Sequence, residues 1–162
     1  MDKILRQVEK VLNLIVSALI GLMMVWVFVQ VITRYMFGFT PSFGEELARY
    51  MFVWIVFLCL PVVAKKGGHM AIEMLTVRLR GMPLKVCRII ADSFTIAFLL
   101  LMVYEGALMV NRASFQTSPA LEISMSWVYI VIPVGCFIML LNVLVDFFAL
   151  LRTPGAEMKK GG

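Results

Sequence analysis

Four long apolar stretches, separated by polar connections, dominate the pattern of the sequence. They cover residues 11–33, 47–64, 89–110 and 127–151. Each stretch is continuous for about twenty residues, and a helix of that length crosses the roughly 30 Å hydrocarbon core of a bilayer. Strands of a membrane barrel would instead alternate in polarity over about ten residues. The pattern predicts an all-α integral membrane protein with four transmembrane helices in a single membrane domain, 1–162.

The composition agrees with a lipid environment. Of the 162 residues, 62% are hydrophobic and only 15% are charged, whereas soluble domains carry about 25% charged residues. The first apolar stretch is too long for the hydrophobic part of a secretory signal peptide, and no small-x-small cleavage site follows it. Membrane lipids are therefore an expected partner.

Basic residues predict the orientation of the spans. Twelve of the fifteen basic residues lie in the two tails and the middle connection, which an even number of spans places on one side. Because basic residues accumulate on the cytoplasmic side, both termini are predicted to be cytoplasmic. The same distribution explains the net charge of +5 without a nucleic-acid partner. The other side holds Arg34, Arg49 and Arg112.

The middle connection contains a second amphipathic pattern. Within 70–79, Ala71, Ile72, Leu75 and Leu79 share one helical stripe. We expect a short interfacial helix here, between the second and third spans, with its basic residues toward anionic headgroups. An irregular polar loop is the alternative.

Polar residues also mark the start of the second span. Ser42 and Glu45 have the spacing of a capping box, which predicts that the helix begins about one turn before the apolar run. Glu45 and Arg49 stand four residues apart, the favourable order for an ion pair. Such a pair is either a surface feature or a contact that fixes the register of a partner subunit.

Glu105 is the deepest acidic residue, about four residues inside the end of the third span, and Arg112 lies on the same helical face. Acids at this depth are costly and often mark ion or proton sites. A contact with another helix or subunit is the simpler interpretation.

Residues for reaction chemistry are scarce. His69 is the single histidine, and the three cysteines form no CxxC pair. The sequence has no phosphate-binding loop and no HExxH motif. We therefore expect no cofactor, no metal and no enzymatic activity. Pro61 and Pro133 are expected to kink the second and fourth spans.

Several short motifs on this four-span frame resemble the small membrane subunit of tripartite ATP-independent periplasmic (TRAP) transporters. They are RYMFG (34–38), EELARY (45–50) with Trp54, AKKGGH (64–69), PAL (119–121), MSWVY (125–129) and PVG (133–135). Phe43 departs from the family pattern, which usually has tryptophan at that position. The resemblance covers nearly the whole chain.

The resemblance implies a bacterial inner-membrane scaffold that works with a large elevator-type subunit and a periplasmic substrate-binding protein in sodium-coupled uptake of organic acids. The positions predicted for the subunit interface and helix register are Arg34, Glu45, Glu46, Arg49, Trp54 and Glu105, of which the resemblance itself assigns Glu45, Glu46 and Arg49 to the contact with the large subunit. Those suggested for docking of the binding protein are Thr40, Ser42, Phe43, Ser118 and Glu122. Those suggested for the cytoplasmic interface are Lys65, Lys66, His69, Arg78 and Arg80.

Two other functions fit four helices of this kind. One is a small homodimeric proton-coupled exporter with Glu105 as its titrating group. The other is an anchor subunit of a respiratory membrane complex.

The predicted orientation has a direct test. Reporter tags inserted after residues 40, 80 and 118 should report periplasm, cytoplasm and periplasm, because the basic connections stay inside. Alkaline phosphatase and fluorescent-protein fusions measure this. Any other order contradicts the assigned spans.

Overall fold

Four helical segments long and apolar enough to cross a membrane occur within residues 2–38, 42–66 and 82–152, which are the residues that the computed structural model describes. The helices are α1 (Asp2–Phe37), α2 (Ser42–Lys66), α3 (Met82–Ala113), α4 (Ser126–Tyr129) and α5 (Val131–Arg152), with α4 and α5 together forming the fourth segment. The predicted all-α fold with four spans is confirmed. The predicted interfacial helix at 70–79 lies outside the described residues.

Three of the helices extend well beyond their apolar runs. The apolar run 11–33 lies inside α1, and the run 89–110 lies inside α3. A helix satisfies its own backbone hydrogen bonds, so it can continue into the interface after its sequence has become polar. α2 begins at Ser42, as the capping spacing predicted.

The fourth span is interrupted near its start, at Ile130 between α4 and α5. Pro133 follows three residues later. It has no N–H for the carbonyl of Tyr129, and its ring collides with that carbonyl in a regular helix. The predicted kink is therefore a short break, whereas α2 remains helical through Pro61.

α5 lies at the centre of the bundle. It packs against both α2 and α3, while α1 packs against α2. The most apolar part of the α4–α5 segment is also more deeply buried than that of any other span. The order across the bundle is α1, α2, α5, α3.

The contact between α3 and α5 follows a seven-residue repeat. Asp92, Leu99, Gly106 and Ala113 are the buried residues of α3, and this spacing places them on one face. Leu99 belongs to a buried cluster whose other members, Cys136, Leu140 and Val143, come from α5. A second buried cluster joins α1, α2 and the start of α5. Its members are Leu12, Val16, Ile55, Leu58, Val62 and Val131.

The backbones of α2 and α5 meet at Gly135. A Cβ built on this glycine would overlap the carbonyl oxygen of Phe57 and lie 2.9 Å from its carbonyl carbon. Small residues allow such approach between membrane helices, where van der Waals packing replaces the hydrophobic effect as the source of association. Glycine is therefore required at this crossing.

Gly135→Ala should destabilise the bundle by about 1–3 kcal/mol, because the added methyl meets fixed backbone rather than a mobile side chain. The matched control is Gly21→Ala in α1, where a Cβ would meet nothing within 4 Å. Thermal unfolding in detergent should give a lower midpoint for the Gly135 variant alone. Equal midpoints for the two variants would contradict the close contact.

Candidate functional site

The most elaborate polar arrangement is at one end of the bundle, which we call the cap end. It comprises the C-terminal end of α1, the N-terminal end of α2 and the connection 114–125 between α3 and α4. The amide of Ser118 donates to the carbonyl of Ile123 at 2.9 Å, and that of Met125 donates to Gln116 at 2.9 Å. Glu122 has a left-handed backbone (φ 54°), which is uncommon for a residue with a side chain. The connection is thus a compact turn.

A single carboxylate of α2 holds this turn. Oε2 of Glu46 accepts hydrogen bonds from the Ser118 hydroxyl, from the Ala120 amide at 3.2 Å and from the Leu121 amide at 3.1 Å. Ser118 is only 1% exposed, and its hydroxyl also accepts from the Leu121 amide at 3.2 Å. We call this group, Glu46 with 118–121, the Glu46 clasp.

Convergent amides suit an anionic acceptor. Hydrogen bonds in which one partner is ionised are roughly twice as strong as those between neutral groups. Successive backbone N–H groups in a turn form a concavity that favours negative charge. The clasp therefore ties the α3–α4 connection to α2, although the two are more than seventy residues apart in sequence.

Tyr50 extends the same face of α2 by one turn. It is buried, and its hydroxyl lies 3.4 Å from Sδ of Met125, the residue just before α4. On the α3 side, the Ser126 hydroxyl donates to the carbonyl of Val110 at 2.8 Å. Both ends of the connection are consequently attached to the bundle.

Helix α1 contacts the other side of the first turn of α2. The indole N–H of Trp26 donates to the carbonyl of Gly44 at 3.1 Å, and the Trp26 and Phe43 rings lie 6.1 Å apart. A Cβ on Gly44 would overlap the side chain of Gln30. Gly44 thus allows α1 to pack directly on the first turn of α2.

The predicted Glu45–Arg49 pair is not formed in the described part of the chain. Both side chains are exposed, and the neighbouring Glu46 makes the contacts instead. Successive helical residues differ by about 100° in direction, so Glu46 faces the connection while Glu45 faces away from it. The capping and ion-pair spacing pointed to Glu45, whereas Glu46 makes the contacts within the described part of the chain.

The other predicted interface positions are spread along the bundle. Arg34 is exposed at the end of α1, and Trp54 is half-buried against the cluster that α1 and α2 share. Glu105 is exposed on α3. These three residues do not form one local site.

The predicted docking positions separate into exposed and buried ones. Ser42, Phe43 and Glu122 are exposed, but Ser118 is buried under the turn. A docking role through direct contact is therefore wrong for Ser118. Phe115, at the start of the loop 115–124 that the resemblance also suggests for docking, is 92% exposed.

Several predicted positions lie outside the described residues. They are Thr40, His69, Arg78 and Arg80. Lys65 and Lys66 are the last two residues of α2.

A cavity of about 400 Å³ opens between α2, α3 and the α4–α5 segment. Its polar lining comes from Glu105, Arg112, Gln116 and Tyr129, and the rest is mainly apolar. Among the described residues, no group of three or more His, Cys, Asp or Glu side chains could hold a metal ion. The chemistry available here is binding by charge and hydrogen bonds.

Proteins related in sequence are membrane components of one type of transporter. Residues 23–153 match the family described as tripartite ATP-independent periplasmic transporters, DctQ component. A TRAP transporter small permease protein of Haemophilus influenzae is 24% identical over 149 residues, which is 90% of each chain. The sialic acid TRAP transporter small permease protein SiaQ of Vibrio cholerae is 25% identical over 93% of this chain and 85% of its own length.

A longer relative matches as well. The isethionate TRAP transporter permease protein DctMQ of Oleidesulfovibrio alaskensis is 31% identical over 114 residues. The match covers 69% of this chain but only 18% of that protein. Most of the longer permease therefore has no counterpart here.

Glu46→Gln should loosen the α3–α4 connection, because the charged acceptor of three hydrogen bonds is replaced by a neutral one. Amide exchange at Ala120 and Leu121 should accelerate, because a neutral amide oxygen accepts hydrogen bonds more weakly than a carboxylate does. Hydrogen–deuterium exchange in detergent measures the exchange rates of these two amides. Glu45→Gln, with an exposed side chain, is the matched control and should leave both amides protected; unchanged protection in the Glu46 variant would refute the clasp.

Proposed function

The chain belongs to the DctQ component family of tripartite ATP-independent periplasmic (TRAP) transporters, and on this basis we propose that it is the scaffold subunit of such a transporter. It is a multi-pass protein of the bacterial inner membrane and a transport subunit rather than an enzyme. Its proposed role is to assemble with the large membrane subunit and to provide a fixed element against which that subunit moves.

A large membrane partner follows from the longer relatives. DctMQ, and the sialic acid TRAP transporter permease protein SiaT of Haemophilus influenzae, contain the matched region as only 18% of their lengths. In these proteins the region is continuous with a much longer permease. This observation carries the proposal, because it shows that the matched region works together with a much longer permease in these relatives.

The packing of the bundle supports a static role. The α2–α5 backbone contact at Gly135 and the seven-residue repeat on α3 leave little freedom for sliding between helices. An elevator mechanism requires such an element, because the moving part must shift relative to something fixed in the bilayer. The proposed N-in/C-in orientation, with an interfacial helix at 70–79 and basic residues at the cytoplasmic surface, would add contacts with lipid headgroups.

The cap end is the proposed docking face for the periplasmic binding protein. Phe115 and Phe43 are exposed there, together with Ser42 and Glu122. The Glu46 clasp fixes the backbone that presents Phe115 and Glu122. A pre-ordered loop binds with a smaller entropic cost than a flexible one, which suits a partner that must dock and leave repeatedly.

Sodium-coupled uptake of an organic acid is the proposed activity of the whole assembly. The named relatives transport sialic acid and isethionate, and both compounds are organic acids. Substrate and ion selectivity would belong to the binding protein and the large subunit. The family assignment disfavours the two alternatives, a homodimeric exporter and a respiratory anchor subunit.

The charged residues Glu45, Arg49 and Arg34 are proposed contacts with the large subunit. All three are exposed near the cap end. Trp54 and Glu105 are proposed to extend this interface into the membrane. Charges at an interface favour correct register and orientation more than raw affinity.

Single charge reversals, Glu45→Lys and Arg49→Glu, should each reduce co-purification of the large subunit several-fold, since interface charges couple by about 1 kcal/mol or more. Membrane insertion of the variants should be unchanged. The complex is expressed with all three components, and pull-down yield and substrate uptake are measured. Asn111→Lys, at an exposed position near the end of α3, is the charge control.

Two outcomes would count against the proposal at different levels. Normal assembly and uptake in both reversal variants would exclude these residues from the interface. Absence of any association between the wild-type chain and the large subunit would exclude the scaffold role itself.

A further inference from the structure

A groove runs along α3, next to the contact between α3 and α5. α2 and α3 both pack on α5 but have little direct contact with each other. The space between them at the cap-end half of the bundle is the 400 Å³ cavity, whose floor includes Ile132 of α5 and Tyr129 of α4. Protein interiors are close-packed, with few voids larger than a water molecule, so an opening of this size is expected to hold another molecule.

One stripe of α3 forms a wall of the groove. Met102, Glu105, Met109 and Arg112 all line it, and their spacing of three, four and three residues is that of one helical face. Phe57 of α2 also lines the groove. The groove is therefore apolar with an acid in its middle and a base near its end.

Glu105 and Arg112 do not satisfy one another. The structure gives no ion pair between these two exposed side chains, and seven residues of helix separate them by about 10 Å along the axis. A charged group within a span is costly unless it meets an opposite charge. We therefore expect Glu105 to bind a cation that comes from outside the described part of the chain.

The relative depths of Glu105 and Arg112 in the membrane determine which kind of cation can bind here. Arg112 stands one residue from the end of α3, and Glu105 lies two turns deeper. In an aminophospholipid the phosphate lies at or below the depth of the ammonium group, so a lipid seated here would bring its phosphate toward the acid. A basic side chain from a neighbouring membrane helix has no such conflict, because it can place its cation at the depth of Glu105 and its methylenes against Met102 and Met109.

We propose that this groove receives a lysine or arginine side chain from a transmembrane helix of the large subunit, with Glu105 as its counter-ion. The inference rests on the proposed scaffold function and adds the specific surface and the chemistry of the group that it binds. The apolar walls exclude water and strengthen the pair. Arg112 at the mouth would repel a second cation.

Crosslinking tests the occupant directly. A benzoylphenylalanine replaces Met109 in the groove or, as control, Tyr104, which is 65% exposed and points about 100° away from Glu105. The complete transporter is irradiated in native membranes, and the adducts are identified by mass. A large-subunit adduct from Met109, stronger than any from Tyr104, is expected; an adduct of lipid mass alone, or no adduct, would overturn the proposal.

Charge reversal tests the counter-ion. Glu105→Lys should lower the yield of the complex about tenfold or more, whereas Tyr104→Lys, which places a lysine at the same depth on another face of the helix, should lower it much less. Suppressors that restore the yield should replace a basic residue of a large-subunit span with an acid. Equal yields for the two lysine variants would overturn the proposal.

Two controls separate the possible failures. Glu105→Lys must insert and unfold like the wild type when expressed alone, so that a lost complex reports binding and not folding; if it does not, Glu105→Gln takes its place with the same expected direction. If the wild-type chain does not associate with the large subunit, the scaffold function fails. If it associates but Met109 gives no large-subunit adduct, only the groove assignment fails.

Discussion

Helices in lipid must hold together without the hydrophobic effect, because lipid tails are as apolar as their side chains. In this bundle close backbone approach and buried polar contacts supply the attraction instead. One such approach is at Gly135, where α5 meets the carbonyl of Phe57. The central position of α5 depends on that contact, since α2 and α3 are both arranged around it. The large exposed apolar area elsewhere, which would be a liability in water, is suited to lipid and to a membrane partner.

Polar contacts concentrate at the cap end, where water and protein meet. Glu46 binds the turn at 118–121, and Trp26 binds the carbonyl of Gly44. Each contact joins segments that are distant in sequence, and each fixes an element that hydrophobic packing alone would leave loose. The result is an ordered face at one end of the bundle, which suits the docking role proposed for it.

The lateral surface has a different character. The groove between α2 and α3 contains an acid without a partner in the described part of the chain, surrounded by methionines and aromatic residues. The two proposed binding surfaces, the cap end and the groove, are therefore separate and differ in chemistry. The cap end would recognise a transient partner, whereas the groove would anchor a permanent one.

The sequence alone determined the number of spans, the all-α class and the family, because long apolar runs and short motifs are local properties. It also placed the start of α2 at Ser42 and an irregularity near Pro133. It could not choose between Glu45 and Glu46, since that choice depends on which helical face meets the 114–125 connection. For the same reason Ser118 looked like a surface residue, Gly44 gave no signal, and the packing role of Gly135 was not visible in the PVG motif that contains it. These roles arise from contacts between segments far apart in the chain, and only the tertiary structure brings those segments together.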